Sequence, residues 1–157
     1  MLRQARVTDV PAIHALVNLF AERGVMLPRT RARLYETVRD FVVAEDDGQL
    51  VGAGALKTVW EDLGEVCSLA VAESHQRRGI GASVVENLLG QAAMLGLRRV
   101  LVLTYLPAFF ARFGFRPADK HDLPHKVWTE CVNCPKFPDC NEQAMVLELG
   151  KEEPRAT

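Results

Sequence analysis

No apolar run in the chain approaches the roughly 18 residues that a membrane-spanning helix needs, so none is expected. Charge of one sign is not in excess either. The formal net charge is −1, which argues against a general nucleic-acid binder, since such proteins carry a strong basic surplus. The first residues, Met1-Leu2-Arg3-Gln4-Ala5-Arg6, lack the apolar core of a signal peptide. A cytoplasmic protein with reduced thiols is the resulting expectation. No internal repeat or low-complexity segment is present. No G-K-[ST] follows a glycine turn, and the glycines do not fall in the longer G-x-G-x-x-G order. Neither a nucleoside-triphosphate loop nor a dinucleotide fold is therefore favoured.

What remains is a chain of 157 residues, long enough for one domain with a real core. That domain is expected over 1–150, with a polar, cysteine-containing segment at 119–142 and a frayed tail at 151–157. Leu2 to Arg6 reads as a first strand. Thr8 and Asp9 are capping candidates for a helix through Val10, Ile13, Leu16, Val17 and Phe20, stopped at Arg23-Gly24. Thr30 is placed to cap a second helix carrying Leu34 and Val38. Phe41 to Glu45 and Leu50 to Val59 read as strands joined by the hairpin signal Asp46-Asp47-Gly48. Trp60 to Gly64 reads as a turn, and Glu65 to Val71 as a central strand. A helix from Ile80 to Leu95 sets Ile80, Val84, Leu88, Ala92 and Leu95 on one face, and Gly96 ends it. Arg99 to Leu103 is a buried strand. Pro107 suits a helix start, Gly114-Phe115-Arg116 returns to strand, and Gln143 to Glu148 closes the sheet. With hairpins first and a βαβ unit after, the sheet should be mixed, with helices on both faces.

The sharpest feature is Gln76-Arg77-Arg78-Gly79-Ile80-Gly81, between the central strand and the helix from Ile80. Glycines let a turn gather several backbone N–H groups. The helix start adds unpaired N–H groups and the positive end of its dipole. A pyrophosphate fits such a cradle, with Arg77 and Arg78 as cations at its rim. A plain β-to-α turn with a polar lip is the alternative. The pattern Q-x-x-G-x-G after a strand closely resembles the acyl-CoA signature of the GNAT acetyltransferases. Phe109-Phe110-Ala111-Arg112-Phe113-Gly114-Phe115 resembles that family's second signature, a short helix leading to "G-F". The strand order matches as well, over roughly residues 2 to 118. The resemblance implies an α/β (α+β) GNAT fold, mostly antiparallel, with a V-shaped splay between two central strands, and acetyl-CoA as cosubstrate with no metal required.

The resemblance also assigns roles. The backbones of Leu69, Ala70 and Val71 would meet the pantetheine arm. The turn from Gln76 through Arg77, Arg78, Gly79, Ile80, Gly81 and Ala82 would hold the pyrophosphate, and an N–H near Leu69 would polarise the thioester carbonyl. Acetyl transfer to an amine also needs a base for the amine proton and a donor for the leaving thiolate. Glu65, expected at the start of the central strand, is the candidate base; a solvated strand-end glutamate is the bland alternative. Many family members place a Tyr four residues before the "G-F" glycine as the donor. Phe110 stands there instead, so Thr104 is the candidate donor and Tyr105 the runner-up.

For the acceptor, Leu27-Pro28-Arg29-Thr30 and Asp40-Phe41-Val42-Val43-Ala44 resemble the "L-L-P-R-S" loop and "D-F-V-V-A" strand of bacterial N-acetylglutamate synthases, the amino-acid acetyltransferases that open arginine synthesis. Gly64-Glu65, Leu103-Thr104 and Lys126-Val127-Trp128 resemble that group too. Glutamate has two carboxylates and so needs cations. Arg29 is the candidate clamp, Lys57 and Lys126 candidates for the second carboxylate, and Arg33 a weaker one, with Leu27 on the same loop. Solvated surface charge is the alternative for each. Another amino acid such as glutamine, a protein amine, or a non-catalytic CoA-binding subunit remain open. Many proteins of that group carry an amino-acid-kinase domain ahead of the acetyltransferase, and regulation through it is not expected here; a homodimer is left open. Cys131, Cys134 and Cys140, with His121 or His125, offer a single C-x-x-C, whereas zinc sites usually show two. Zinc, a redox pair and structural thiols all stay in play, and Cys67 reads as core packing.

Overall fold

The computed structural model describes residues 1–119 and 143–150. Its strands are β1 (Leu2–Gln4), β2 (Phe41–Asp46), β3 (Gln49–Trp60), β4 (Leu63–Val71), β5 (Arg99–Thr104), β6 (Arg116–Pro117) and β7 (Gln143–Glu148). Its helices are α1 (Val10–Glu22), α2 (Arg31–Glu36), α3 (Ile80–Leu95) and α4 (Pro107–Ala111). The strands form one mixed sheet in the order β1-β2-β3-β4-β5-β7-β6. The β1–β2, β2–β3, β5–β7 and β6–β7 pairs are antiparallel. The chain divides into two compact units, Met1–Lys57 with Val66–Gln91, and Thr58–Glu65 with Ala92–Thr157.

In the first unit, α1 buries Val10, Ile13, Leu16 and Val17, a stripe at helical spacing. These pack with Leu34 of α2, Phe41 and Val43 of β2, and Ala53 and Ala55 of β3. A side chain the size of Ile13 or Leu34 contributes about 1.5–3 kcal/mol by full burial. Gly24, at φ +77°, ends α1, where a residue with a Cβ would be strained. Asp47 and Gly48, at φ +53° and +74°, make the two-residue turn between β2 and β3, the geometry that Asp-Gly favours.

Asp9 differs from its expected role. It precedes α1 but makes no side-chain cap bond to it. Its carboxylate instead takes a two-point bond from Arg3, at 2.8 and 2.9 Å, and accepts from the Arg6 N–H at 2.7 Å. Arg3 also donates to Glu45 at 2.9 Å. A bidentate guanidinium outcompetes a lone helix N–H for a carboxylate. Thr30 does cap α2, accepting from the Arg33 N–H at 3.1 Å.

In the second unit, Val59, Leu63, Leu101 and Ala144 form a smaller core. The Arg98 and Arg99 N–H groups both donate to the Asp62 carbonyl at 3.0 Å. β4 starts two residues earlier than the pattern suggested, so the connecting turn shrinks to Glu61 and Asp62. The buried face of α3 also differs. Val84, Val85, Leu88 and Ala92 are fully buried, whereas Leu95 is 64% exposed at the helix end. At 100° per residue position 95 still falls on the stripe, so its exposure belongs to its place as the last residue of α3.

Candidate active site

The turn after β4 is built by strained backbone and three side-chain ties. Ser68, inside β4, has φ +54°, a left-handed conformation rare for a residue with a Cβ. Burial changes near there, from Leu63, Gly64, Glu65 and Val66, all buried, to Cys67, Ser68 and Leu69, all half-buried. Beyond β4, Ala72 N–H donates to the Val51 carbonyl at 2.8 Å, and Glu73–His75 forms a single 3-10 turn. Arg77 and Gly79 then take φ +67° and +82°. The first bond of α3 runs from Ser83 N–H to the Gly79 carbonyl at 3.0 Å. The N–H groups of Ile80, Gly81 and Ala82 thus lie ahead of the helix's hydrogen-bond ladder.

The ties come from all sides of the turn. Arg23 donates to Glu73 at 2.6 Å, and this guanidinium holds the Glu73 carboxyl below its ordinary value. His75 Nε2 meets Asp46 Oδ2 at 2.8 Å, while its Nδ1 meets Ser74 Oγ at 2.8 Å. Gln76 is turned back: its Nε2 donates to the Val71 carbonyl at 3.0 Å. This side chain therefore fastens the turn to the end of β4. Arg77 and Arg78 are exposed.

Two glycines of β3 let α3 approach closely. A Cβ at Gly54 would meet Val84 Cγ1 at 2.7 Å, and one at Gly52 would meet Ile80 Cγ2 at 3.0 Å. Sequence reading did not assign these glycines a part, although Gly-Ala-Gly in a strand is a sign of close backbone approach.

The cationic loop belongs to the same unit. Met26 packs against the core, Leu27 is half-buried, and Arg29 directly precedes the Thr30 cap. The Asn18 side chain on α1 holds the Arg29 backbone at both ends. Lys57 lies late in β3, half-buried. Asp40, just before β2, has its carboxyl pushed up by burial, with the charges of Lys57 and then Arg33 pulling it back. Lys57 and Arg33 thus share one electrostatic neighbourhood with an acid that sequence reading left aside. Arg33 also pairs with Glu36 at 3.5 Å.

Glu65 and Thr104 belong to the second unit. Glu65 is the third residue of β4, not its first, and is only 7% exposed. The picture of a solvated strand-end glutamate is corrected by this burial. Thr104 closes β5, is also 7% exposed, and its Oγ1 accepts from the Leu106 N–H at 2.8 Å. With an acceptor position so used, the hydroxyl's own hydrogen is directed elsewhere. Tyr105 follows, half-buried. Phe110 is a core anchor, edge-on to Phe109 at 5.0 Å and to Phe115 at 5.5 Å. Lys126, His121, His125, Cys131, Cys134 and Cys140 lie outside the described residues.

Comparison with known proteins identifies the arrangement. The model of the acetyltransferase (GNAT) family matches residues 13–115. The chain belongs to the GNAT acetyltransferase family. It is 41% identical over 133 residues to the amino-acid acetyltransferase of Mycobacterium tuberculosis, covering 83% of this chain and 76% of that one. The structure of Rv2747 from M. tuberculosis, in complex with CoA and NLQ, superposes with a TM-score of 0.83 at 36% identity, covering 95% of this chain and 99% of that one. N-acetylglutamate synthase from Neisseria gonorrhoeae, complexed with coenzyme A and N-acetyl-glutamate, gives a TM-score of 0.87 at 31% identity. That match covers 95% of this chain but 35% of the synthase chain.

The GNAT match bears out the fold expected from the two signatures, and the chain is an acyltransferase. The matched span includes the anion turn, Arg29, Lys57, Glu65, Thr104 and Phe110. Among the described residues no helix is long and apolar enough to cross a membrane.

Proposed function

We propose that this GNAT protein transfers the acetyl group of acetyl-CoA to the α-amino group of L-glutamate, giving N-acetylglutamate, as a cytoplasmic first step of arginine biosynthesis. The observation that carries the reading is the likeness to the gonococcal synthase complexed with coenzyme A and N-acetyl-glutamate. The acceptor-side cations support it: Arg29 in the loop is the candidate clamp, with Lys57 on β3 and Lys126 of the sequence as candidates for the second carboxylate of a dicarboxylate.

The residues divide the work as follows. The N–H groups from Arg77 to Ala82 hold the pyrophosphate, with the Arg77 and Arg78 charges beside them. The backbones of Leu69, Ala70 and Val71 line up the pantetheine arm, and the Leu69 N–H stabilises negative charge developing on the thioester oxygen. Leu27 and Arg29 seat the acceptor, Arg29 as a carboxylate clamp. Glu65 accepts the ammonium proton, directly or through a water, and frees the amine lone pair. As the new C–N bond forms and the C–S bond breaks, the nitrogen sheds its second proton to solvent or to the departing thiolate, and Thr104 donates a hydrogen bond to that sulfur.

Release of free CoA thiol, measured against a panel of amino acids, tests the assignment. Turnover dependent on glutamate is expected. Preference for glutamine or another amine would replace the acceptor, and CoA binding without turnover on any amine would make the chain a binding subunit.

A further inference from the structure

We infer that Asn18 is a positioning residue that sets the acceptor specificity by fixing where Arg29 stands. The inference rests on the reading of Arg29 as the acceptor's carboxylate clamp. Asn18 lies on the third turn of α1, half-buried. Its Oδ1 accepts from the Arg29 N–H at 3.1 Å, and its Nδ2 donates to the Arg29 carbonyl at 2.9 Å. The same Nδ2 donates to the His14 carbonyl, one turn back on α1, at 2.9 Å. One amide thus grips both backbone groups of one residue, as a neighbouring strand would. The arrangement also fixes the amide's orientation, since a flipped amide would set Oδ1 against two carbonyl oxygens.

This grip has a geometric purpose. Arg29 sits in a loop that leaves α1 at Gly24, φ +77°, and re-enters helix at the Thr30 cap. A loop residue ordinarily has freedom that costs entropy when a ligand orders it. Anchoring the Arg29 backbone to α1 lowers that cost, because the Cα from which the guanidinium projects is already placed. An asparagine in a helix interior is otherwise an unfavourable choice. Its bonds to the loop give the position a reason.

The test is a double-mutant cycle on the full chain with glutamate and acetyl-CoA as substrates. Asn18→Ala should raise the glutamate KM about tenfold, the size of one lost hydrogen bond. The acetyl-CoA KM should stay within about twofold. In an Arg29→Ala background, Asn18→Ala should add nothing further, because the residue it positions is gone. Asn18→Asp keeps the size and one acceptor but turns oxygen toward two carbonyls. It should match or exceed the alanine effect, and it decides the matter if the alanine variant does not fold. An unchanged glutamate KM in both variants, while Arg29→Ala raises it, would overturn the role of Asn18 alone. Full additivity in the double variant would overturn it too, since Asn18 would then act on general stability. A glutamate KM unmoved by Arg29→Ala would remove the clamp and this inference together.

Discussion

Gly54→Ala should destabilise the protein, although alanine is ordinarily the better residue in any regular element. The added Cβ would lie 2.7 Å from Val84 Cγ1 and 3.3 Å from both Leu69 Cδ1 and Leu88 Cδ1. Favourable carbon–carbon contacts begin near about 3.5 Å, so the Val84 contact falls short by roughly 0.8 Å. Val84 cannot swing aside, since it is fully buried and a β-branched residue in a helix has one strongly preferred rotamer. Leu88 is fully buried as well. The strain must therefore move α3 against β3, at a cost of about 1–3 kcal/mol for an overpacked core. In a domain of this size each kcal/mol lowers Tm by roughly 2–4 °C, so a fall of about 2–12 °C is expected. Gly90→Ala is the matched control, because a Cβ there meets nothing within 4 Å and the site is a helix interior. It should raise stability by about 0.5–1 kcal/mol. Thermal unfolding followed by circular dichroism reads both signs side by side. A Gly54→Ala variant that melts at or above the wild-type temperature would refute the close approach of α3.

Glu65→Gln should lower kcat at neutral pH and matter less at high pH, where free amine is already abundant; equal rates at every pH would remove Glu65 as the base. Thr104→Val should depress kcat while leaving both KM values nearly unchanged, and Thr104→Ser should restore most of it; a Val variant as fast as wild type excludes the hydroxyl as donor. Asp9 predicts an acid response. Its carboxyl is held below its ordinary 3.8 by the bond from Arg3 first, against the opposing effect of burial. The folded state then binds the proton less readily than the unfolded chain. The stabilisation is present above the ordinary value and is lost as pH falls through the lowered one. Melting curves of wild type and Asp9→Asn should converge in that acid range; a gap that persisted undiminished there would count against the ion pair as its source.

Much of the architecture was legible because pattern and chemistry agree locally. The α1 stripe, the Asp47-Gly48 turn, the Thr30 cap and Gly96, at φ +87°, each follow from one residue type meeting one backbone demand. Errors arose where a distant partner decided. Asp9 read as a cap because nothing local reveals that Arg3 reaches it. The bond of the Gln76 side chain to the Val71 carbonyl was likewise not legible, because it depends on how the turn folds back. Ser68 gave no sign of its left-handed φ, since glycine or asparagine would be the usual signal for it. Glu65 was found by resemblance, but its burial followed from β4 starting at Leu63. Asn18 was invisible as a site residue, because a single polar residue in an amphipathic helix is most simply a surface position.

Under the proposed mechanism, Thr104 takes over the donor role that Phe110, lacking a hydroxyl, leaves open. A tyrosine at position 110 would have to send its hydroxyl beyond the ring, yet the Phe110 ring is 3% exposed and held edge-on by Phe109 and Phe115. That packing makes α4 an apolar buttress in its own unit. Thr104 lies in the same unit, at the end of β5, with its Oγ1 already accepting from the Leu106 N–H. That bond occupies one lone pair of the oxygen, so, if Thr104 is the donor, its hydroxyl hydrogen is left for the sulfur. A hydroxyl in that role stabilises a thiolate without giving up its proton, and a thiolate needs less help than an alkoxide because its conjugate acid is far stronger. Phe110→Tyr thus separates two accounts of catalysis. If Thr104 supplies the hydrogen bond, the new hydroxyl should leave kcat within about twofold and, in a buried aromatic cluster, lower Tm by the cost of an unpartnered polar group. A severalfold rise in kcat, together with rescue of Thr104→Val, would instead mean that the site lacks a donor and that Thr104 is not one.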